Sequence, residues 1–88
     1  MKEQTVTVKN RAGLHTRPAA ALVKLAAQFR SDIYLNRGGF AINAKSIIGV
    51  MTLAAEQGSE LLLQIDGPDE DEAMEKITEF FDQGFGEL

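Results

Sequence analysis

Cysteine and tryptophan are absent from this 88-residue chain, and histidine and tyrosine occur once each. Without cysteine there is no disulfide framework, no thiolate chemistry and no zinc ribbon. No uninterrupted apolar run approaches the roughly 18 residues of a membrane span, and MKEQTVTVKN lacks the apolar core of a signal peptide. Proline (two residues) and glycine (eight) fall singly or in pairs between patterned segments, so no linker is evident. A lone histidine, with no cysteine and no carboxylate pair near it in sequence, lacks the ligands of a metal enzyme and the partners of a triad hydrolase. No metal and no cofactor is expected. The remaining composition, 44% hydrophobic and 25% charged, is that of an ordinary globular protein. One domain over 1–88, soluble and cytoplasmic, is the expectation.

The net charge of −4 hides an uneven split. Residues 1–45 carry eight of the nine bases and two acids, a balance of +6; residues 46–88 carry one base and eleven acids, −10. Such a split fits a nucleic-acid face, an anion site, or two solvated surfaces.

Thr5-Val6-Thr7-Val8 alternates as a strand does, with Val6 and Val8 inward. From about Thr16 to Phe29, apolar residues recur at helical spacing (Ala19, Leu22, Val23, Ala26, Phe29). Ile33–Leu35 and Phe40–Ile42 read as short strands joined through Arg37-Gly38-Gly39. Ser46 caps a short helix from Ile47 to about Ala55, ended by Gln57-Gly58. Leu61, Leu63 and Ile65 mark a fourth strand. Asp69 is the expected cap of a last helix, with Glu72 at capping-box spacing and Ala73, Met74, Ile77, Phe80 and Phe81 buried. The order β-α-β-β-α-β-α defines an α+β class, one antiparallel sheet with its helices on one face.

The single histidine lies in Gly13-Leu14-His15-Thr16-Arg17-Pro18-Ala19-Ala20, where the first loop becomes the first helix. A lone histidine is most often a surface or packing residue, but three local facts favour chemistry. A helix start leaves backbone N–H groups unpaired and partly positive, an anion site. Pro18, with φ already near the helical value, pins that start close to His15. Arg17 adds a guanidinium fork that matches phosphate oxygens. Either His15 or Thr16 can be the cap. A neutral imidazole in such a place can take a phosphoryl group as a phosphoramidate and release it again, with Arg17 and the N–H groups, Thr16's among them, balancing the transferred charge.

Lys45-Ser46-Ile47-Ile48-Gly49-Val50-Met51 is the second segment of interest. Val50 and Leu53 can face the core while Ile47, Ile48 and Met51 form a second apolar stripe, read as an exposed docking patch. Ser46 is by its local pattern a cap; phosphorylated, it adds charge that a helix N-terminus tolerates, beside that patch.

These residues resemble the HPr family, the histidine-containing phosphocarriers of the bacterial phosphoenolpyruvate:sugar phosphotransferase system. The Gly13–Ala20 segment looks like the family's active-site signature, and Lys45–Met51 is similar to its regulatory serine motif. The resemblance implies an open-faced β-sandwich with strand order 1-4-2-3. It implies that His15 accepts phosphate at Nδ1 from phospho-Enzyme I and passes it to the IIA domains of sugar permeases, with Arg17 stabilising the group. The chain is then a phosphoryl-transfer intermediate rather than an independent catalyst. Ile47, Ile48 and Met51 match docking positions. Ser46 matches the site of an HPr kinase/phosphorylase, through which some members act with a transcriptional regulator in carbon-catabolite regulation. Ile48 and Ala54 stand where Gram-positive members more often have Met and Gly, and Gly84-Phe85-Gly86-Glu87 is similar to proteobacterial endings. A nitrogen-type or regulatory phosphorelay protein, acting mainly by partner binding, is the alternative.

An RNA-binding module of similar element order needs base-stacking aromatics exposed on its strands; the first strand has none, and Phe40 falls on the apolar face. No nucleic acid and no membrane insertion is therefore expected, and a monomer is. The basic half reads as an anion-handling, partner-docking face with His15, Arg17, Lys24 and Lys45, its other bases drawing in acidic partner domains. The acids of the last strand and helix read as a solvated face.

Overall fold

Alternating polar and apolar residues put one side of every strand against a core and the other against water. The computed structural model of the protein describes residues 1–87. Its elements are β1 (Lys2–Thr7), α1 (Thr16–Ala26), β2 (Asp32–Arg37), β3 (Phe40–Asn43), α2 (Ile47–Thr52), β4 (Glu60–Asp66), α3 (Glu70–Asp82) and a closing 3-10 turn, Gly84–Gly86. The sheet is antiparallel throughout, in the order β1-β4-β2-β3. Val6 pairs with Leu61, Leu35 with both Leu63 and Ile42, and Ile33 with Ile65. These side chains share the buried face with Leu22, Ala26, Val50, Ile77 and Phe81 from the helices. Thr5, Tyr34 and Ala41 lie exposed on the other face, so the helices cover one side only. This is the open-faced sandwich expected, with three helices. Each fully buried Leu or Ile contributes about 1.5–3 kcal/mol. No described helix is long and apolar enough to cross a membrane.

Several boundaries differ from the expectation. Strand β1 begins at Lys2 rather than Thr5, because the β1–β4 ladder runs on through Lys2 opposite Ile65. Helix α1 stops at Ala26 rather than Phe29: Gln28 and Phe29 donate to Leu25 and Ala26, tightening the last turn, and Phe29 stays buried beyond the helix. Helix α2 stops at Thr52, well before Gln57-Gly58. Ala54 turns left-handed at φ 49, while the Arg37 guanidinium donates to the carbonyls of Leu53 and Ala54. Phe40 keeps its place on the apolar face but lies at the sheet's edge and is 53% exposed.

The start of α3 departs from the capping box. Asp69 makes no side-chain cap; its carboxylate accepts from the Arg30 and Ser31 N–H groups and the Ser31 hydroxyl. Those donors, the Ser31 hydroxyl first, hold the Asp69 carboxyl down at about 2, against an ordinary 3.8. Glu70, rather than Glu72, reaches back to an N–H, that of Gly67, at 3.1 Å. Gly67 is required here, since a Cβ would lie 2.5 Å from the Ser31 Cα. The clasp ties the start of α3 to the chain just past the end of α1.

Candidate functional site

The loop between β1 and α1 is held by its own sequence. The Asn10 amide donates to the Gly13 carbonyl at 2.9 Å, and the Gly13 N–H returns to the Asn10 carbonyl at 3.3 Å. Gly13 has φ 78, and a Cβ there would sit 2.5 Å from the Ala55 carbonyl oxygen. No other residue fits. Leu14 is buried, and its N–H donates to that same Ala55 oxygen at 2.8 Å.

This delivers His15 to the N-cap of α1, in extended backbone (φ −93, ψ −165), its carbonyl accepting from Ala19 at 2.9 Å. The choice between His15 and Thr16 is thereby made. The imidazole takes no part in capping, and the residue is exposed. Thr16 and Arg17 occupy the first two helical positions, whose N–H groups have no intrahelical acceptor; Pro18, the third, has no N–H to leave unpaired. There is no acid in this first turn. Among the described residues, Arg11 and Arg17 form no ion pair. Both line an open groove of about 530 Å³ together with Phe85, Gly86 and Glu87. His15 itself does not line it. The arrangement offers an uncommitted nucleophilic nitrogen, two free backbone donors and a free guanidinium on one helix start, which suits a group that arrives and leaves as an anion.

Other expected residues are placed elsewhere. Lys24 lies in the last turn of α1, roughly 12 Å along the axis from Thr16 at 1.5 Å per residue. Lys45 is committed: its Nζ donates to the Phe29 carbonyl at 2.7 Å, past the same end of α1. The two lysines therefore stand at the far end of α1 from His15 and Arg17. Ser46 is the N-cap of α2, its hydroxyl accepting from the Gly49 N–H at 3.1 Å. Val50 and Leu53 are buried, whereas Ile47, Ile48 and Met51 are 38%, 77% and 42% exposed, the second stripe the sequence defines. The far end of α2 leads to Ala55, whose carbonyl holds Leu14, so His15 and Ser46 sit at opposite ends of α2. No cluster of three or more His, Asp or Glu side chains occurs among the described residues.

Sequence reasoning passed over Asn10, Ala55 and Glu87. Asn10 is fully buried, and its amide donates to the Glu87 carboxylate at 3.0 Å as well as to Gly13. Asn10 three residues before Gly13 was a readable turn signal. Glu87, 77 residues away, had no local signal, although the glycines flanking Phe85 marked a sharp turn.

An open-faced sandwich whose first helix starts with no acid in its first turn, beside Arg17 and a histidine whose ring takes no part in capping, is of the class suited to handling a small anionic group. Residues 2–83 match the family profile described as PTS HPr component phosphorylation site. The chain is 51% identical over 87 residues to the phosphocarrier protein HPr of Treponema pallidum, covering 99% of each. The crystal structure of HPr from Thermoanaerobacter tengcongensis superposes with a TM-score of 0.96 at 42% identity, over 100% of this chain and 99% of that one. Crh of Bacillus subtilis, a dimer formed by a swapping domain, superposes at 0.77 with 43% identity, over 96% and 97%. The chain belongs to the HPr family, the phosphocarriers of the phosphotransferase system.

Proposed function

We propose that His15 is the phosphoryl-carrying residue, charged by phospho-Enzyme I and discharged to the IIA domains of sugar permeases. The observation that carries this reading is the uncommitted imidazole at the N-cap of α1 beside a free Arg17. In the charging step the lone pair of a neutral His15 ring nitrogen attacks the phosphorus and a new N–P bond forms. The N–P bond in the donor breaks, and its electron pair stays on the donor imidazole. The Thr16 and Arg17 N–H groups and the Arg17 guanidinium meet the phosphoryl oxygens. Nothing is oxidised or reduced, and the reverse sequence hands the group on. The chain is consumed and regenerated as a substrate of its partners, in the cytoplasm where phosphoenolpyruvate is made. Ile47, Ile48 and Met51 form the apolar part of the docking surface, and Lys24 and Lys45 its basic part.

Incubation with phosphoenolpyruvate and Enzyme I is expected to give an acid-labile phosphohistidine that His15→Ala abolishes. Undiminished labelling of His15→Ala overturns the assignment.

A second, regulatory reading is supported by Ser46, an exposed hydroxyl next to an exposed apolar stripe. Phosphorylated by an HPr kinase/phosphorylase, it sets a dianion beside Ile47 and Ile48 and changes which partners dock there, a transcriptional regulator among them. ATP and such a kinase are expected to give an acid-stable phosphoserine absent from Ser46→Ala. A monomer suffices for this scheme, since His15, Arg17 and Ser46 all come from one chain; elution at dimer size would count against it.

A further inference from the structure

We infer that Glu87 is a positioning residue for the phosphoryl site, acting through Asn10 on the loop that sets His15 at the head of α1. This rests on the reading of His15 as the carrier residue. Three observations converge on it. Asn10 is fully buried, and both N–H bonds of its amide are spent, one on the Gly13 carbonyl at 2.9 Å and one on Glu87 at 3.0 Å. Its carbonyl oxygen Oδ1 has no partner among the described residues. The amide's orientation is thus set by its two acceptors alone. Reversed, it would turn Oδ1 onto the Gly13 carbonyl oxygen. Without Glu87, a buried donor is left unpaired and the hold on Gly13 slackens.

The closing turn is shaped to deliver that carboxylate. Gly84, Phe85 and Gly86 all adopt positive φ, 60, 58 and 78. For Phe85 this is a strained backbone, which persists only where surroundings over-determine it. They do: Phe85 is buried, edge-on to Phe81 at 4.9 Å and to Phe80 at 5.4 Å. The aromatic anchor and the two glycines reverse the chain, so that Phe85, Gly86 and Glu87 line the same groove as Arg11 and Arg17. The strain secures a contact across 77 residues of sequence. Glu87 does not touch the transferred group in this scheme. It fixes the Asn10–Gly13 turn, and with it Leu14 and the direction in which the free N–H groups of α1 point.

The test is the initial rate of Enzyme I-dependent phosphorylation at varied carrier concentration, for wild type, Glu87→Ala, Glu87→Gln and His15→Ala. Glutamine keeps the acceptor oxygen and loses only the charge. Glu87→Ala is expected to lower the maximal rate about five-fold, the worth of one lost hydrogen bond, with KM for the carrier unchanged, and Glu87→Gln to restore most of it. The amide resonances of Gly13 and Leu14 should shift in Glu87→Ala and return in Glu87→Gln. A wild-type rate in Glu87→Ala overturns the inference while an unlabelled His15→Ala leaves the carrier assignment standing. Equal losses in both Glu87 variants also overturn it, since charge beside Arg17 would then be the operative property. Labelling of His15→Ala would remove the carrier assignment and this inference together.

Discussion

Two helix starts in this molecule carry the same partial positive charge and treat it in opposite ways. At α3 the chain satisfies it from within. Glu70, Asp71 and Glu72 fill the first turn, Glu70 folds back on Gly67, and Asp69 is spent on the Arg30–Ser31 backbone. At α1 the first turn holds no acid, the cap residue offers no side-chain bond, and the neighbouring charges are Arg11, Arg17 and a Glu87 carboxylate that accepts from Asn10. The first arrangement contributes stability and closes the terminus to ligands. The second forgoes that contribution and leaves the terminus open to an arriving anion. The start of α2 lies between them, capped by the neutral hydroxyl of Ser46.

The largest effect is expected from making α1 resemble α3. Thr16→Glu sets a carboxylate among the free N–H groups, and the Enzyme I-dependent rate should fall two to three orders of magnitude, on the scale of losing an anion-stabilising donor. The same variant should be about 0.3–1 kcal/mol more stable to urea. A stabilised protein with an undiminished rate would erase the distinction between the two termini. Arg17→Ala removes one charge-assisted donor and is expected to cost about 10- to 100-fold in that rate, with the urea midpoint unmoved.

At α3 the perturbation is protonation. The Asp69 carboxyl is depressed from 3.8 to about 2 in the folded protein, so its contribution is complete above about pH 4 and lost as pH falls toward 2. Acid unfolding followed by circular dichroism should become less steep there in Asp69→Asn; an unchanged profile would deny the clasp its part. The smallest effect falls on α2, where Ser46→Ala should cost about 1 kcal/mol of stability and leave phosphorylation by Enzyme I intact.

The elements were legible wherever neighbouring residues cooperate. The β1 alternation, the helical spacing from Ala19 to Ala26, and the Ser46 cap all follow from contacts within four or five positions. His15, Arg17 and Pro18 were legible as a group for the same reason. Long-range partners overrode local signals elsewhere. Asp69 looks like a cap until Ser31 supplies better donors from 38 residues away. Ala54, which no rule for left-handed positions favours, ends α2 because Arg37 holds the last carbonyls from the neighbouring hairpin. Lys45 reads as a free cation until it meets the Phe29 carbonyl. The charge split shows the same limit: Lys2 pairs with Asp71 at 2.8 Å and Lys9 with Asp82 at 3.2 Å, so part of the basic half serves the acidic half of its own chain.

The Asp69 clasp has a further consequence. Because it joins the start of α3 to the chain beyond the end of α1, the acidic first turn of α3 is tethered past the Ala26 end of a helix whose other end, about 15 Å along its axis, carries the free Thr16 and Arg17 N–H groups. At physiological salt, where exposed charges are screened over about 8 Å, that spacing spares an anion arriving at His15 the repulsion of Glu70, Asp71 and Glu72.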